Sequence, residues 1–132
     1  MATILLASAS ERRRDMMGAL SESDGGNLLF GVLGEPEPEP SMSLAVNLQV
    51  EASCIHKARS AVLEFGSDET NGVEIIVVSD TLVEDPDDCL VALGKPRDKI
   101  SATSTLVRLS GRRHKVWSST AIISRNGPGM HV

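Results

Sequence analysis

The sequence predicts an α/β fold, a mixed twisted sheet flanked by helices. Three observations carry that expectation. Two apolar runs, Thr3–Ala7 and EIIVVSD at 74–80, are too short for helices and are bounded by polar residues, as buried strands are. Between them Leu44, Leu48, Ile55, Ala58, Val62 and Phe65 recur at helical spacing, which predicts a long amphipathic helix over 43–65 ending near Gly66. Further on, HKVWSSTAIIS (114–124) alternates in the manner of a strand. Strand and helix signals that alternate along a chain place helices against a sheet.

The remaining elements follow from local chemistry. Ser8 or Ser10 is placed to cap a helix over 10–20, on which Met16, Met17 and Leu20 form an apolar stripe. SESDGG (21–26) reads as a loop and LLFGVL (28–33) as a second strand. GEPEPEP (34–40) excludes a helix or a central strand, because its alternating prolines remove backbone donors. EDPDD (84–88) predicts a turn and CLVAL (89–93) a returning strand. Asp98 can cap a helix over 98–109 that carries Ile100, Leu106 and Leu109 and stops at Gly111. Asn126-Gly127 is a hairpin signal, but only PGMHV follows the turn, too little for a full returning strand. At 132 residues, a single domain over 1–132 is the simplest organisation.

Composition narrows the function classes. Phe30, Phe65 and Trp117 are the only aromatic residues, so the core is aliphatic and little surface is available for stacking bases. With a net charge of −5, this argues against a nucleic acid polymer as partner and for a small anion held locally. Cys54 and Cys89 form no CxxC pair, and Cys54 reads as a buried reduced thiol within the helical pattern. TILLA is short and lacks preceding basic residues, so it is no secretory signal, and no run approaches a membrane span. A cytoplasmic protein without a membrane partner is expected.

Three segments place reactive residues where strands meet loops. Ser8, Ser10, Arg12, Arg13 and Arg14 gather at a strand–helix junction. Cations at a helix N-terminus are unfavourable by up to ~1 kcal/mol, so their presence invites an explanation. Hydroxyls, backbone N–H groups and guanidinium forks there would suit a phosphate chain. A solvated basic face is the alternative. Asp80-Thr81 ends an apolar strand, where an α/β fold places a metal ligand or a general base, although taken alone an acid that merely ends a strand at a turn is the commoner reading. GKPRDK holds Lys95 between a glycine and a proline, and Lys57 lies on the long helix beside His56. Taken singly, either lysine reads as a solvated cation, and His56 as an exposed helix residue. Glu35, Glu37 and Glu39 make an acidic loop that composition alone reads as a linker. There is no His/Cys metal spacing, no GxxxxGK[ST] and no G-x-G-x-x-G.

Taken together and in order, these segments resemble the Maf family of nucleoside triphosphate pyrophosphatases, house-cleaning enzymes related in structure to inosine triphosphatases. LASASERRRDMM is similar to the family's opening LASxSPRRxxLL, and HKA (56–58) to its EKA. IIVVSDTLV is similar to the strand ending in GADT, LGKPRD to GKPxD, and LSGRRHKV to LSGxxHxV. The resemblance implies hydrolysis of a nucleoside triphosphate to monophosphate and pyrophosphate with a divalent metal, Mg or Mn. It makes Asp80 the base that activates water for attack at the α-phosphorus. Ser8, Ser10, Arg12, Arg13, Lys57 and Lys95 would hold the triphosphate, with Lys95 also stabilising charge in the transition state. Glu37 is the best match to an acid in the loop after the second strand and would share the metal with Asp80, with Glu35 and Glu39 close behind. Thr81 and the histidine of SGRRH resemble the branch acting on dTTP and UTP, since the branch preferring methylated GTP has glutamine at the position of Thr81. Arg12 and Thr81 would then set specificity.

The chain departs from the family pattern at Glu11, where proline is usual, at His56 in place of glutamate, and at Val78-Ser79 in place of Gly-Ala. The segment between Asp80 and Lys95 is longer than usual and suggests a larger hairpin. Nothing after Ser124 resembles the second lobe with its GEPxDKAGaYgiQG motif, and the exposed edge this would leave invites a homodimer. The expected protein is therefore an apparently truncated Maf-like pyrophosphatase. A weakly active or inactive nucleotide-binding remnant is the alternative, and an unrelated α/β interaction domain the third reading. Arg13 and Asp80 are expected to face one cleft, where Ser8–Arg13, the end of strand 74–80 and Lys95 converge.

Overall fold

The computed structural model describes residues 3–24, 27–34, 41–66, 72–125 and 129–132. The sheet is assembled on β3 (Ile75–Glu84). β1 (Thr3–Ala7) pairs parallel with β3 on one side, and β5 (Val116–Ser124) pairs antiparallel on the other. β2 (Asn27–Gly31) extends the sheet beyond β1, and β6 (Met130–His131) extends it beyond β5. The order is β2-β1-β3-β5-β6, with β4 (Ala92–Leu93) on β3 off that path. The sheet is mixed, as the sequence predicts.

Among the described residues three helices accompany it: α1 (Glu11–Asp24), α2 (Val46–Phe65) and α3 (Lys99–Leu109). α1 joins β1 to β2 and α2 joins β2 to β3, and these two strands flank β1 on opposite sides. The chain thus leaves β1 in one direction and returns in the other. In open α/β sheets such a reversal opens a crevice at the carboxyl ends of the strands.

The core lies between α2 and one face of the sheet. Cys54, Ala58 and Ala61 of α2 pack with Ile76 and Val78 of β3, Ala121 and Ile123 of β5, and Leu5 and Ala7 of β1. Alternation along β3 puts Ile76, Val78 and Asp80 on this face and Ser79 and Thr81 on the other. Small residues on α2 let the helix lie close to the sheet. Gly31 serves the same end on β2, since a Cβ there would come 2.9 Å from the Phe65 ring. Cys54 is buried and free, as its place in the helical pattern predicts.

Several elements differ from the sequence reading. α1 continues through Ser21–Asp24, where a loop is expected, because nothing in that stretch breaks the helical ladder before the glycines. Of its apolar stripe, Met16 and Leu20 are exposed. α2 begins at Val46, leaving Leu44 outside. Its start is set by tertiary partners: the Val46 N–H donates to Cys89 O at 2.8 Å, and Gln49 Nε2 donates to Leu44 O and Leu90 O. β3 runs on to Glu84, so Asp80 lies inside the strand and not at its end. The predicted return at 89–93 shrinks to Ala92–Leu93, because the Asp88 carboxylate and carbonyl accept the N–H groups of Leu90 and Val91 and hold the chain in a turn. α3 has the predicted cap, a capping box between Asp98 and Ser101, but buries no residue. It is tied instead by ion pairs, Arg108 with Asp85 and Arg112 with Asp87. A short return after β5 is present as β6, while Asn126-Gly127 lies outside the described residues.

Candidate functional site

β1 pairs with β3 only at Ile75–Val77, and β4 pairs with it only at Val83–Glu84. On that edge Val78–Leu82 has no strand partner among the described residues, which leaves a notch beside the carboxyl end of β1. Asp80 and Thr81 occupy it. Ser8 leaves β1 at the same end, and its N–H donates to Gly31 O at 2.9 Å, which keeps the turn between strand and helix tight.

The β1–α1 junction turns its donors toward the notch. Ser10 is the N-cap: its Oγ accepts the N–H of Arg13 at 3.4 Å, and its carbonyl accepts the N–H of Arg14. Ser8 Oγ accepts the Ser10 N–H at 3.1 Å. Arg13 then spans the gap between α1 and β3. Its Nη1 donates to Ser8 Oγ at 3.5 Å and its Nη2 to Thr81 Oγ1 at 3.3 Å. Arg14 is used differently, donating to Ser8 O at 2.9 Å and lying 5.5 Å from the centre of the Phe30 ring. Arg12 is exposed, and its side chain joins no hydrogen bond among the described residues.

Asp80 is approached from the other side. Lys57 on α2 places Nζ 3.4 Å from Asp80 Oδ1, with the two side chains 10% and 13% exposed. The Thr81 N–H donates to the same oxygen at 3.0 Å. Both hydrogen bonds to the carboxylate fall on Oδ1, so Oδ2 is the oxygen left to meet another group. Thr81 is where the two halves of the cluster join: its hydroxyl accepts from Arg13 and its N–H donates to Asp80. Arg13 and Asp80 are therefore linked through one residue, without a direct bond. The guanidinium reaches the Thr81 hydroxyl on the face of β3 away from α2, whereas the expected shared cleft would need both on one face and the Asp80 carboxylate lies on the α2 face.

Two candidates stand apart. Lys95 is exposed in the stretch between β4 and α3 and joins no hydrogen bond or ion pair among the described residues. The antiparallel register, with Leu93 opposite Val83, runs that stretch back toward the level of Thr81. Glu37, with Glu35 and Glu39, lies outside the described residues. Among the described residues no group of three or more His, Cys, Asp or Glu could hold a metal ion. One carboxylate with an uncommitted oxygen still fits Mg²⁺, which keeps most of its waters and takes further oxygens from phosphates.

Sequence reasoning missed Ser118. Its Oγ lies 2.8 Å from Thr81 Oγ1, across the β3–β5 pairing of Thr81 with Ser118. The contact depends on register over 37 residues, and no local pattern encodes it. The same face carries a second hydroxyl pair, Ser79 with Thr120.

A mixed sheet with hydroxyls, guanidinium groups and an acid–lysine pair around the carboxyl end of its first strand defines an α/β protein that gathers hydrogen-bond donors and one carboxylate at that end. A solved structure of this fold is the nucleoside-triphosphatase, dITP/XTP pyrophosphatase, of Mycobacterium abscessus, with a TM-score of 0.57 over 95% of this chain and 67% of that one at 21% identity. The chain belongs to the Maf family, matching the Maf-like protein description over residues 3–131. A dTTP/UTP pyrophosphatase of Clostridium botulinum is 33% identical over 125 residues, covering 93% of this chain and 58% of that protein. One from Clostridioides difficile is 30% identical with 55% of its length covered, and one from Burkholderia thailandensis is 28% identical with 58% covered. The chain thus spans less than two thirds of the length of these relatives.

Proposed function

We propose that this chain, as one Maf-like domain, is a nucleoside triphosphate pyrophosphatase acting on dTTP- or UTP-like nucleotides, releasing the monophosphate and pyrophosphate. The observation that carries the reading is the junction at Thr81, which links an arginine held by Ser8 to a carboxylate held by Lys57 at the edge of a gap in the sheet. The named activity of the relatives supports the substrate class.

In this reading Asp80 accepts the proton of a water molecule through Oδ2, while Lys57 and the Thr81 N–H hold Oδ1 in place. The water oxygen bonds to the α-phosphorus, the bond from that phosphorus to the bridging oxygen breaks, and pyrophosphate leaves with the bridging oxygen. Ser8, Ser10, Arg12 and Arg13 bind the phosphate oxygens, and Lys95, solvated and uncommitted, swings onto them to balance the growing charge. One such donor contributes about 3–4 kcal/mol to lowering a barrier. A divalent cation, Mg or Mn, held by Asp80 and the Glu37 loop would neutralise charge on the phosphates when bound. Thr81 and Arg12 set the nucleotide preference.

The acidic balance and scarce aromatics favour a single nucleotide over a nucleic acid polymer as partner. The cytoplasm is the proposed location, and no helix of the described residues is long and apolar enough to cross a membrane. Among the described residues β6 pairs only with Ile122 and Ile123 of β5, and the edge over Val116–Ala121, without a strand partner there, supports a homodimer. The test of the reaction class is product analysis with dTTP in ¹⁸O-labelled water. Formation of pyrophosphate and of dTMP carrying the label supports it; release of orthophosphate, or label in pyrophosphate, rules it out.

A further inference from the structure

We propose that Ser118 is a positioning residue for the proposed phosphate site, acting through Thr81 to hold Arg13; the inference rests on the function proposed above. The side chain of Ser118 touches neither Arg13 nor Asp80 in the hydrogen bonds of this structure. It touches the one residue that touches both. Ser118 Oγ and Thr81 Oγ1 are 2.8 Å apart, the shortest contact in a run that continues to Arg13 Nη2 at 3.3 Å and from Arg13 Nη1 to Ser8 Oγ at 3.5 Å.

The chemistry of the hydroxyl explains why this matters. A threonine hydroxyl has one hydrogen and two lone pairs, and a guanidinium can only donate. When Thr81 donates to Ser118, both lone pairs of Oγ1 are left for Arg13. When Ser118 donates instead, Oγ1 is still held by a fixed cross-strand partner. In either sense the Thr81 rotamer is set by β5, and Arg13 is presented at one height above the notch. Ser118 is on the far strand and on the open face of the sheet, so α2 and the core do not determine its side chain. A long arginine gains binding strength toward phosphate when its freedom is already reduced before the ligand arrives.

The experiment measures two quantities in the full chain: binding of inorganic tripolyphosphate with Mg²⁺ by calorimetry, and steady-state hydrolysis of dTTP. Ser118→Ala is expected to weaken tripolyphosphate binding and raise KM by about two- to fivefold, the worth of one exposed neutral hydrogen bond, with kcat unchanged. Ser118→Thr keeps the hydroxyl and should restore both values. In an Arg13→Gln background, Ser118→Ala should change neither. Wild-type affinity in Ser118→Ala would overturn the proposal, as would an equal loss in the presence and absence of Arg13. A fall in kcat with unchanged KM would also overturn it, because it would place Ser118 in the chemistry rather than in binding. A wild-type chain that neither binds tripolyphosphate nor hydrolyses dTTP would remove the functional reading itself, and the inference with it.

Discussion

Lys57 and Asp80 form an ion pair across the α2–β3 contact, Nζ 3.4 Å from Oδ1, with both side chains almost closed to solvent. The carboxylate depends on the lysine, because a buried ion that loses its counter-charge keeps its desolvation penalty. The pair also orients the carboxylate by fixing Oδ1, which leaves Oδ2 to meet another group. Lys57→Met is expected to destabilise the fold by about 1–3 kcal/mol, read from urea denaturation. Adding Asp80→Asn to that variant should recover part of the loss, since no lone charge is then left. Full additivity of the two substitutions would show that the pair is not coupled.

Asp85 behaves as the anchor of α3. The hydrogen bond from Arg108, followed by the backbone N–H of Asp87, lowers its carboxyl from the ordinary 3.8 to about 2. A carboxylate lowered in the folded state stabilises the fold above its unfolded value, and that contribution fades as the pH falls from near 3.8 toward 2. Thermal unfolding should therefore show a loss of stability over that interval that is smaller in Asp85→Asn. The same loss in both proteins would assign it to other groups.

The two cysteines differ in access, Cys54 buried against β3 and Cys89 exposed. A thiol reagent should titrate Cys89 rapidly in the native protein and Cys54 only after unfolding. Two fast thiols in the native state would mean that α2 does not lie on the sheet as described.

Lys95 offers a contrast with Arg13. Lys95 has no partner among the described residues, so Lys95→Met should leave stability within about 0.5 kcal/mol of wild type while lowering kcat by about tenfold or more. Arg13→Gln should act chiefly on KM, because the guanidinium is already docked before substrate binds. A Lys95→Met enzyme with wild-type kcat would return that lysine to the solvated surface.

How much of this was legible in the sequence differs by element. Thr3–Ala7 and the cap at Asp98 are written in local chemistry, a short apolar run and a side chain that accepts its own helix's N–H, and both appear where the pattern puts them. The strand through Asp80 was found, but its end was misplaced, because Thr81–Glu84 loses apolar alternation while β5 still pairs with it as far as Val83. On α1 and α3, periodicity predicts which residues share a face but not whether anything covers that face, and Met16, Leu20, Ile100 and Leu106 are exposed. At the site, the sequence motifs point to Ser8, Arg13, Lys57, Asp80 and Thr81, and hydrogen bonds and an ion pair link these five. Ser118 was invisible because strand register joins it to Thr81 and no spacing does. The three arginines that open the chain proved to have different tasks: Arg13 reaches the notch, Arg14 braces the Ser8 turn, and Arg12 faces solvent.

The most direct measurement is pyrophosphate release from dTTP and UTP with Mg²⁺, comparing wild type with Asp80→Asn of verified fold. The expected result is turnover by wild type that falls by about a hundredfold or more in the variant, since the asparagine keeps the shape but cannot take the proton from water. Equal turnover in the two proteins, or none from a folded wild type, would contradict the assignment of Asp80 as the base of a nucleotide pyrophosphatase.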